Sequence, residues 1–242
     1  MSQATKTADA SWPWGVPVPP SGDELPYDDG EPMETELHRK QMDFTLDYAE
    51  WLLRDRDSYA TGNMALYYSA LQAKALDFKA PDIMIMLDVP RRVRKSWVIW
   101  EEDGKGPDVV IELLSETTAH NDLGRKKDIY ERVLRVPEYF VFDPLSKELR
   151  GWRLETADGY RPIAPDESGR LPSQKLGVTL GDHEGTFRGA TTRWLRFFFP
   201  DGTIVPTHAE AESHRAEAET RRAADAEAEI ERLKARLAEL EG

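Results

Sequence analysis

Cysteine is absent from the 242 residues, and histidine occurs only five times, widely scattered. The first absence excludes disulfides, thiol nucleophiles and every cysteine-based zinc or iron–sulfur centre, and it suits a reducing compartment. No apolar run approaches the roughly 18 residues that a membrane-spanning helix requires. The opening "MSQATKTADASWPWG" lacks a basic segment followed by an apolar one, which is the pattern of a secretory signal. These absences lead us to expect a soluble, cytoplasmic protein with no membrane partner. The sequence also has no G-x-x-x-x-G-K-[ST] loop, H-E-x-x-H helix or G-x-S-x-G elbow, and "HEG" at 183–185 stops short of a zincin. We therefore read the histidines as surface or core residues rather than ligands.

A basic excess is missing too: the net charge is −13, which weighs against a nucleic-acid partner. Its distribution softens that objection. Residues 1–36 carry −7 and residues 208–242 carry −4, so the middle of the chain holds only about −2. That middle contains two basic clusters, "PRRVRKSW" (90–97) and "GRKK" (124–127). Each fits either a phosphate-facing patch or a solvated loop tip and helix face.

With 40% hydrophobic residues, a chain of this length can bury one sizeable core. Three zones divide it. Residues 1–34 are acidic and rich in Pro and Gly, with no period of 2 or 3.6, and read as a disordered arm. Its Trp12 and Trp14 are either loosely packed or docked on a surface. Residues 35–206 hold the folded domain. Residues 207–242 are Ala/Glu/Arg-rich and read as a C-terminal helix. Ala223, Ile230 and Leu237 at a positions with Ala226, Leu233 and Leu240 at d positions make a short heptad seam, fit for a solvated helix or for a homodimer through a short parallel coiled coil.

Within the domain, "TELHRKQMDFTLDYAEWLLRD" sets Leu37, Met42, Leu46, Ala49 and Leu53 near one helical face. Strands follow at "NMALYYS", "PDIMIML" (81–87) and "PDVVIELLS" (107–115), then a helix at "NDLGRKKDIYERVLR" (121–135) and a strand at "EYFVFDP" (138–144). Further short strands are expected at "ELRGWRL", "GYRPIAP", "GVTL" and "RWLRFFFPDGTIV". The runs "IMIML" and "VVIELL" are continuous rather than alternating, so the sheet is buried on both faces at its centre.

Glu112 interrupts one of those runs. A carboxylate in such a strand costs several kcal/mol unless it is paired or binds a metal. Asp108 shares its face but lies about 13 Å away at ~3.3 Å per residue, too far to share one ion. Asp82 begins the preceding strand, and antiparallel pairing brings it beside Glu112. Two carboxylates, with the main-chain carbonyl of Leu113, form a hard-oxygen site suited to Mg²⁺ or Mn²⁺.

The following helix offers the counter-charge. At 100° per residue the face of Leu123, Ile129, Tyr130, Val133 and Leu134 centres near Lys126. A lysine there fits a catalytic ammonium, a structural Glu–Lys pair, or a side chain that snorkels to water.

The blocks "APDIMIML", "WEEDGKGPDVVIELLSETT", "NDLGRKKDIYERV" and "PEYFVFDP" resemble the bacterial Uma-type restriction endonuclease family, a branch of the PD-(D/E)XK nuclease superfamily. The resemblance spans roughly residues 35–205, most tightly 62–144, and members similar to this chain also end in an Ala/Glu/Arg-rich helix. It implies an α/β fold, a restriction-endonuclease-like mixed sheet flanked by helices, with extra C-terminal β-strands and a C-terminal helix. It implies Asp82 as first acid and Glu112 as motif acid. The superfamily's usual lysine two positions later is replaced by Leu114, and the match falls instead on Lys126. Ser115, Thr118, Asp122 and Tyr130 occupy family-like positions, which implies supporting hydrogen bonds. "RVLRVPEY" departs from the pattern by lacking a glycine and running one residue longer.

The expected activity is Mg²⁺-dependent hydrolysis of DNA by Asp82, Glu112 and Lys126. The alternative is a nuclease-derived fold kept as a non-catalytic nucleic-acid or protein interaction module.

Overall fold

A computed structural model of the chain describes residues 35–69, 78–115, 122–155 and 158–241. The arm expected over 1–34, with Trp12 and Trp14, lies outside them.

Helix α1 spans Glu36–Leu52. It starts where Thr35, in extended conformation, accepts the His38 N–H on its hydroxyl at 3.0 Å, a role suited to a short oxygen-bearing side chain. Of the apolar face expected from the wheel, Met42, Ala49 and Leu53 are buried, but the buried face is shifted and partly polar. Leu37 and Leu46 are only half-buried, while His38, Gln41, Met42, Thr45, Tyr48 and Ala49 turn inward. The polar members are tolerated because hydrogen bonds replace the water they lose. Gln41 accepts the Leu195 N–H at 2.9 Å and donates to the Leu195 carbonyl at 3.2 Å, and the Tyr48 hydroxyl donates to that same carbonyl at 2.8 Å. These bonds stitch α1 to a distant strand, a role that apolar side chains could not fill.

The strands are β1 (Ser58–Thr61), β2 (Leu66–Tyr67), β3 (Ile83–Leu87), β4 (Trp97–Val98), β5 (Val109–Leu113), β6 (Glu138–Phe142), β7 (Leu149–Glu155), β8 (Gly159–Pro162), β9 (Leu171–Ser173), β10 (Val178–Phe187) and β11 (Ala190–Phe198). The main sheet runs β1-β3-β5-β6-β7-β8. Only β5–β6 is a parallel pair within it, and such a pair needs a long crossover. The helical segment 122–133 belongs to that crossover. β11-β10-β9 form an antiparallel sheet, and β2–β4 a short parallel pair. The expected first strand, "NMALYYS", thus leaves the main sheet. The short "SYAT" of β1 takes its place against β3.

β3, β5 and β6 are buried along their whole length. Because successive side chains point to opposite faces, the strands serve two cores. Ile83, Ile85, Val109, Ile111, Leu113, Phe140 and Phe142 pack with Tyr48 of α1 and with Leu180, Trp194 and Phe197 of the smaller sheet. Met84, Met86, Val110, Tyr139 and Val141 pack with Tyr130, Val136, Leu66 and Trp97. Glu112, flanked by Ile111 and Leu113, points to the second side.

The helix expected over 121–135 is largely π-helical, with turns at Asp122–Lys126 and Ile129–Val133 joined by α-helical Lys127 and Asp128. The Leu134 N–H reaches the Ile129 carbonyl, five residues back, at 2.9 Å. A π turn takes up more residues than an α turn, which accommodates the extra residue noted in "RVLRVPEY". It also shifts the wheel: Val133, expected on the buried face, is 57% exposed. The segment ends with Arg135 in the left-handed region (φ 53°) and the Val136 N–H on the Tyr130 carbonyl at 2.8 Å. That reversal normally falls to glycine.

A long helix, α2, closes the chain at His208–Glu241. Among the described residues no helix is long and apolar enough to cross a membrane.

Candidate active site

The antiparallel register Ile83↔Ile111 and Met84↔Val110 carries Asp82, just before β3, to a place opposite Glu112. The Asp82 N–H donates to Glu112 Oε2 at 3.3 Å, and Asp82 Oδ2 accepts the Leu113 N–H at 2.7 Å. The opposite end of the same strand pair is built the same way: Asp108 Oδ2 accepts the Leu87 N–H at 2.8 Å. The two ends differ in their counter-charges. Asp108 has Lys105 at 2.7 Å and Lys175 at 3.4 Å, whereas Asp82 Oδ1 meets His38 Nε2 at 3.1 Å. Gly62 guards the Asp82 main chain, since a Cβ there would lie 2.5 Å from the Asp82 carbonyl oxygen.

The π-helical segment covers the Glu112 side of the sheet. Lys126 Nζ lies 3.3 Å from Glu112 Oε2 and 2.7 Å from Asp122 Oδ1. The Tyr130 hydroxyl donates to Glu112 Oε1 at 2.7 Å, and the Tyr139 hydroxyl of β6 donates to the Asp122 carbonyl at 2.9 Å, tying the start of the segment to the sheet. Glu112 and Asp122 are fully buried, and Lys126 is partly buried.

The charges do not balance. Burial pushes the Glu112 carboxyl up; Lys126 opposes this, the neighbouring charges of Asp82 and Asp122 add to it, and the result is about 8. For Asp82, burial also pushes upward, but the His38 hydrogen bond and charge, the Lys126 ammonium and the Leu113 N–H together hold it below the usual carboxylate range. Burial would pull Lys126 down, yet Glu112, Asp122 and Asp82 hold it above the ordinary lysine range, so it remains an ammonium. Burial raises the Tyr130 hydroxyl far up, keeping it a hydrogen-bond donor.

Three carboxyl groups around one ammonium make a place where added positive charge is stabilising. Among the described residues no three His, Asp or Glu side chains converge as a complete ligand set. A cation here would therefore rest on Asp82, Glu112, a main-chain oxygen and water. That fits Mg²⁺, which keeps several waters and takes one or two protein carboxylates.

Asp82, Glu112, Lys126, Asp122 and Tyr130 are thus brought together. Ser115 sits half-buried just past β5, and Thr118 lies outside the described residues. The Leu113 main chain is adjacent, its N–H already on Asp82. His38 is the residue that sequence reasoning missed. Its signal was positional: it shares a helical face, at spacings of three and four, with Gln41, Met42 and Thr45, a stripe invisible when only apolar residues are counted.

The basic clusters are largely spoken for. Arg92 and Arg94 both bind Glu102, at 2.6 and 2.7 Å, with Arg94 lying over the Tyr59 and Trp97 rings. In "GRKK", Lys126 turns into the acid cluster and Lys127 lies over the Trp152 ring at 4.7 Å.

A family model described as "Uma2: Putative restriction endonuclease" matches residues 16–182, leaving β11 and α2 outside the matched span. No curated protein matches. Among solved structures, the crystal structure of a putative nuclease belonging to DUF820 from Anabaena variabilis matches at 16% identity and a TM-score of 0.43, covering 66% of this chain and 86% of that one.

Proposed function

Because the chain belongs to the Uma2 family of putative restriction endonucleases, we propose that it hydrolyses phosphodiester bonds of DNA in the cytoplasm, using Mg²⁺ or Mn²⁺ held by Asp82 and Glu112. One observation carries this reading: a single Glu112 oxygen receives both the Asp82 amide and the Lys126 ammonium at 3.3 Å, so two acids and a cation from three elements meet at one strand end. When bound, a hard divalent cation supplies Lewis acidity toward a phosphate oxygen and lowers the pKa of a water.

The chain's own residues do the remaining work. Asp82, fixed by the Leu113 N–H and His38, offers a carboxylate already ionised. Glu112 releases its proton when it becomes a ligand, and the Tyr130 hydroxyl holds its other oxygen in place. The Leu113 carbonyl would be the third protein ligand. Lys126, kept charged by the acids around it, orients the attacking water and stabilises negative charge developing on the phosphate, while Asp122 fixes its position.

The test is titration with Mg²⁺ or Mn²⁺ followed by plasmid cleavage, comparing the wild type with Glu112→Gln. The wild type is expected to bind and to cut, and the variant to do neither. Cleavage that survives the substitution belongs to a contaminant and removes the enzyme claim.

A second reading, a non-catalytic nucleic-acid or protein interaction module, is favoured by Lys126 sitting closer to Asp122 than to Glu112 and by the arginines engaged with Glu102. Failure of the wild type to bind either cation selects it.

A further inference from the structure

We propose that α2 is a self-association device that pairs with a second copy of the chain as a parallel, in-register two-stranded coiled coil. Among the described residues, only its first turn is fastened to the domain. Thr207 and Glu210 cap each other: the Glu210 N–H donates to the Thr207 hydroxyl at 3.1 Å, and the Thr207 N–H to Glu210 Oε2 at 2.8 Å. Arg196 grips both Glu210 oxygens, at 3.0 and 2.8 Å, and the His208 ring nitrogen sits 2.6 Å from Asp47 of α1. From Glu212 to Ala238 every residue is exposed. At 1.5 Å per residue the 34 residues extend about 50 Å.

That exposed length carries an apolar stripe. Ile230, Leu233 and Leu237 are 50, 53 and 57% exposed, and they are half of the large hydrophobic side chains left open among the described residues. Their spacing of three and four continues the seam from Ala223 and Ala226. A β-branched residue at a with leucine at d, as in Ile230 and Leu233, favours two strands.

The flanking charges select both the partner and its direction. Arg222 and Glu229 occupy g positions, Glu227 and Lys234 the e positions that face them across a parallel dimer. Arg222 then meets Glu227 of the second copy, and Glu229 meets Lys234, so each of these contacts is attractive and each occurs twice. In the monomer Glu229 and Lys234 make, among the described residues, exposed intrahelical pairs with Arg232 and Glu231, which exchange partners at little cost. The small Ala223 and Ala226 make the pairing weak and reversible. It stands on α2 alone, whatever the buried acids do.

The absence of cysteine gives a clean test on the full chain. Sedimentation is expected to show a concentration-dependent rise to twice the chain mass. Under mild oxidation, Ala223→Cys is expected to cross-link to itself, and the outward-facing Ala224→Cys is not. Glu229→Lys should weaken association about tenfold, and adding Lys234→Glu should restore it, since the double exchange rebuilds opposite charges across the seam. Leu233→Asp should abolish it. A monomer at the highest soluble concentration overturns the proposal. So does a dimer that survives Leu233→Asp, or one whose Ala223→Cys variant fails to cross-link, which marks another interface or an antiparallel pairing.

Discussion

Two glutamates lie fully buried in neighbouring strands of one sheet, Glu112 in β5 and Glu138 in β6, facing opposite sides. Glu138 has a counter-ion of its own: Arg153 Nε lies 3.1 Å from Oε1. It also receives the Ser173 hydroxyl and the N–H groups of Gln174 and Lys175, the latter two at 2.8 and 3.3 Å. Among the described residues Glu112 has one ammonium and shares it with Asp122, which holds it more closely, and two other carboxylates press on it. Both are withdrawn from water. What separates them is whether the donors are exclusive: exclusive donors make a carboxylate a structural lock, and shared ones leave it ready to exchange its proton for a cation.

The sharpest way to break this comparison is to neutralise each in turn. Glu112→Gln is expected to lower plasmid cleavage by at least about 10³-fold, some 4 kcal/mol of barrier. Its thermal midpoint should stay near that of the wild type, because at neutral pH the wild-type carboxyl is already mostly protonated. Glu138→Ala is expected to do the reverse. It leaves Arg153, Ser173 and two main-chain donors without their acceptor, costing about 3 kcal/mol by denaturant titration, with cleavage per folded molecule unchanged. If Glu138→Ala abolished cutting while leaving stability intact, the distinction would fail.

Titration offers a gentler probe. The folded Glu112 carboxyl is raised from 4.5 to about 8, so its contribution to cation-free stability is fully present below 4.5 and is lost as pH rises toward 8. Asp82 is lowered from 3.8, so its contribution is present above that value and is lost only as pH falls below it. The windows do not overlap. Thermal melts in chelator should therefore show stability declining across pH 5–8 in the wild type and less so in Glu112→Gln. Cation affinity should rise about tenfold per pH unit as Glu112 loses its proton, levelling off above about 8. A flat affinity profile would mean that Glu112 is not a ligand.

How much of this was legible depends on what the sequence writes locally. The continuous apolar runs of β3 and β5 announce doubly buried strands, and one acid at the start of the first and another near the end of the second fix their pairing once an antiparallel register is assumed. Lys126 showed itself as a charge in an apolar stripe. β1 did not, because "SYAT" is short and half polar and gains its place only from β3. The polar part of the inward face of α1 is not legible, because Gln41 and Tyr48 are buried for hydrogen bonds to Leu195, which no count of apolar residues can see. The π turns escaped for a related reason. A wheel at 100° per residue presumes the α period, and it placed Val133 inside where the structure exposes it.

The smallest expected effect compares one hydroxyl on each glutamate. Ser173→Ala removes a donor from a carboxylate that keeps three others, so the loss should be about 1 kcal/mol of stability and nothing else. Tyr130→Phe removes a hydroxyl whose hydrogen bond helps hold the Glu112 titration down. The stability cost should be similar, but a second effect accompanies it: the pH at which Mg²⁺ binding reaches half its plateau moves upward, and Mn²⁺ follows the same shift. If Tyr130→Phe changed only the melting temperature, its hydroxyl would be a packing contact like that of Ser173, and the two buried glutamates would differ in their neighbouring charges alone.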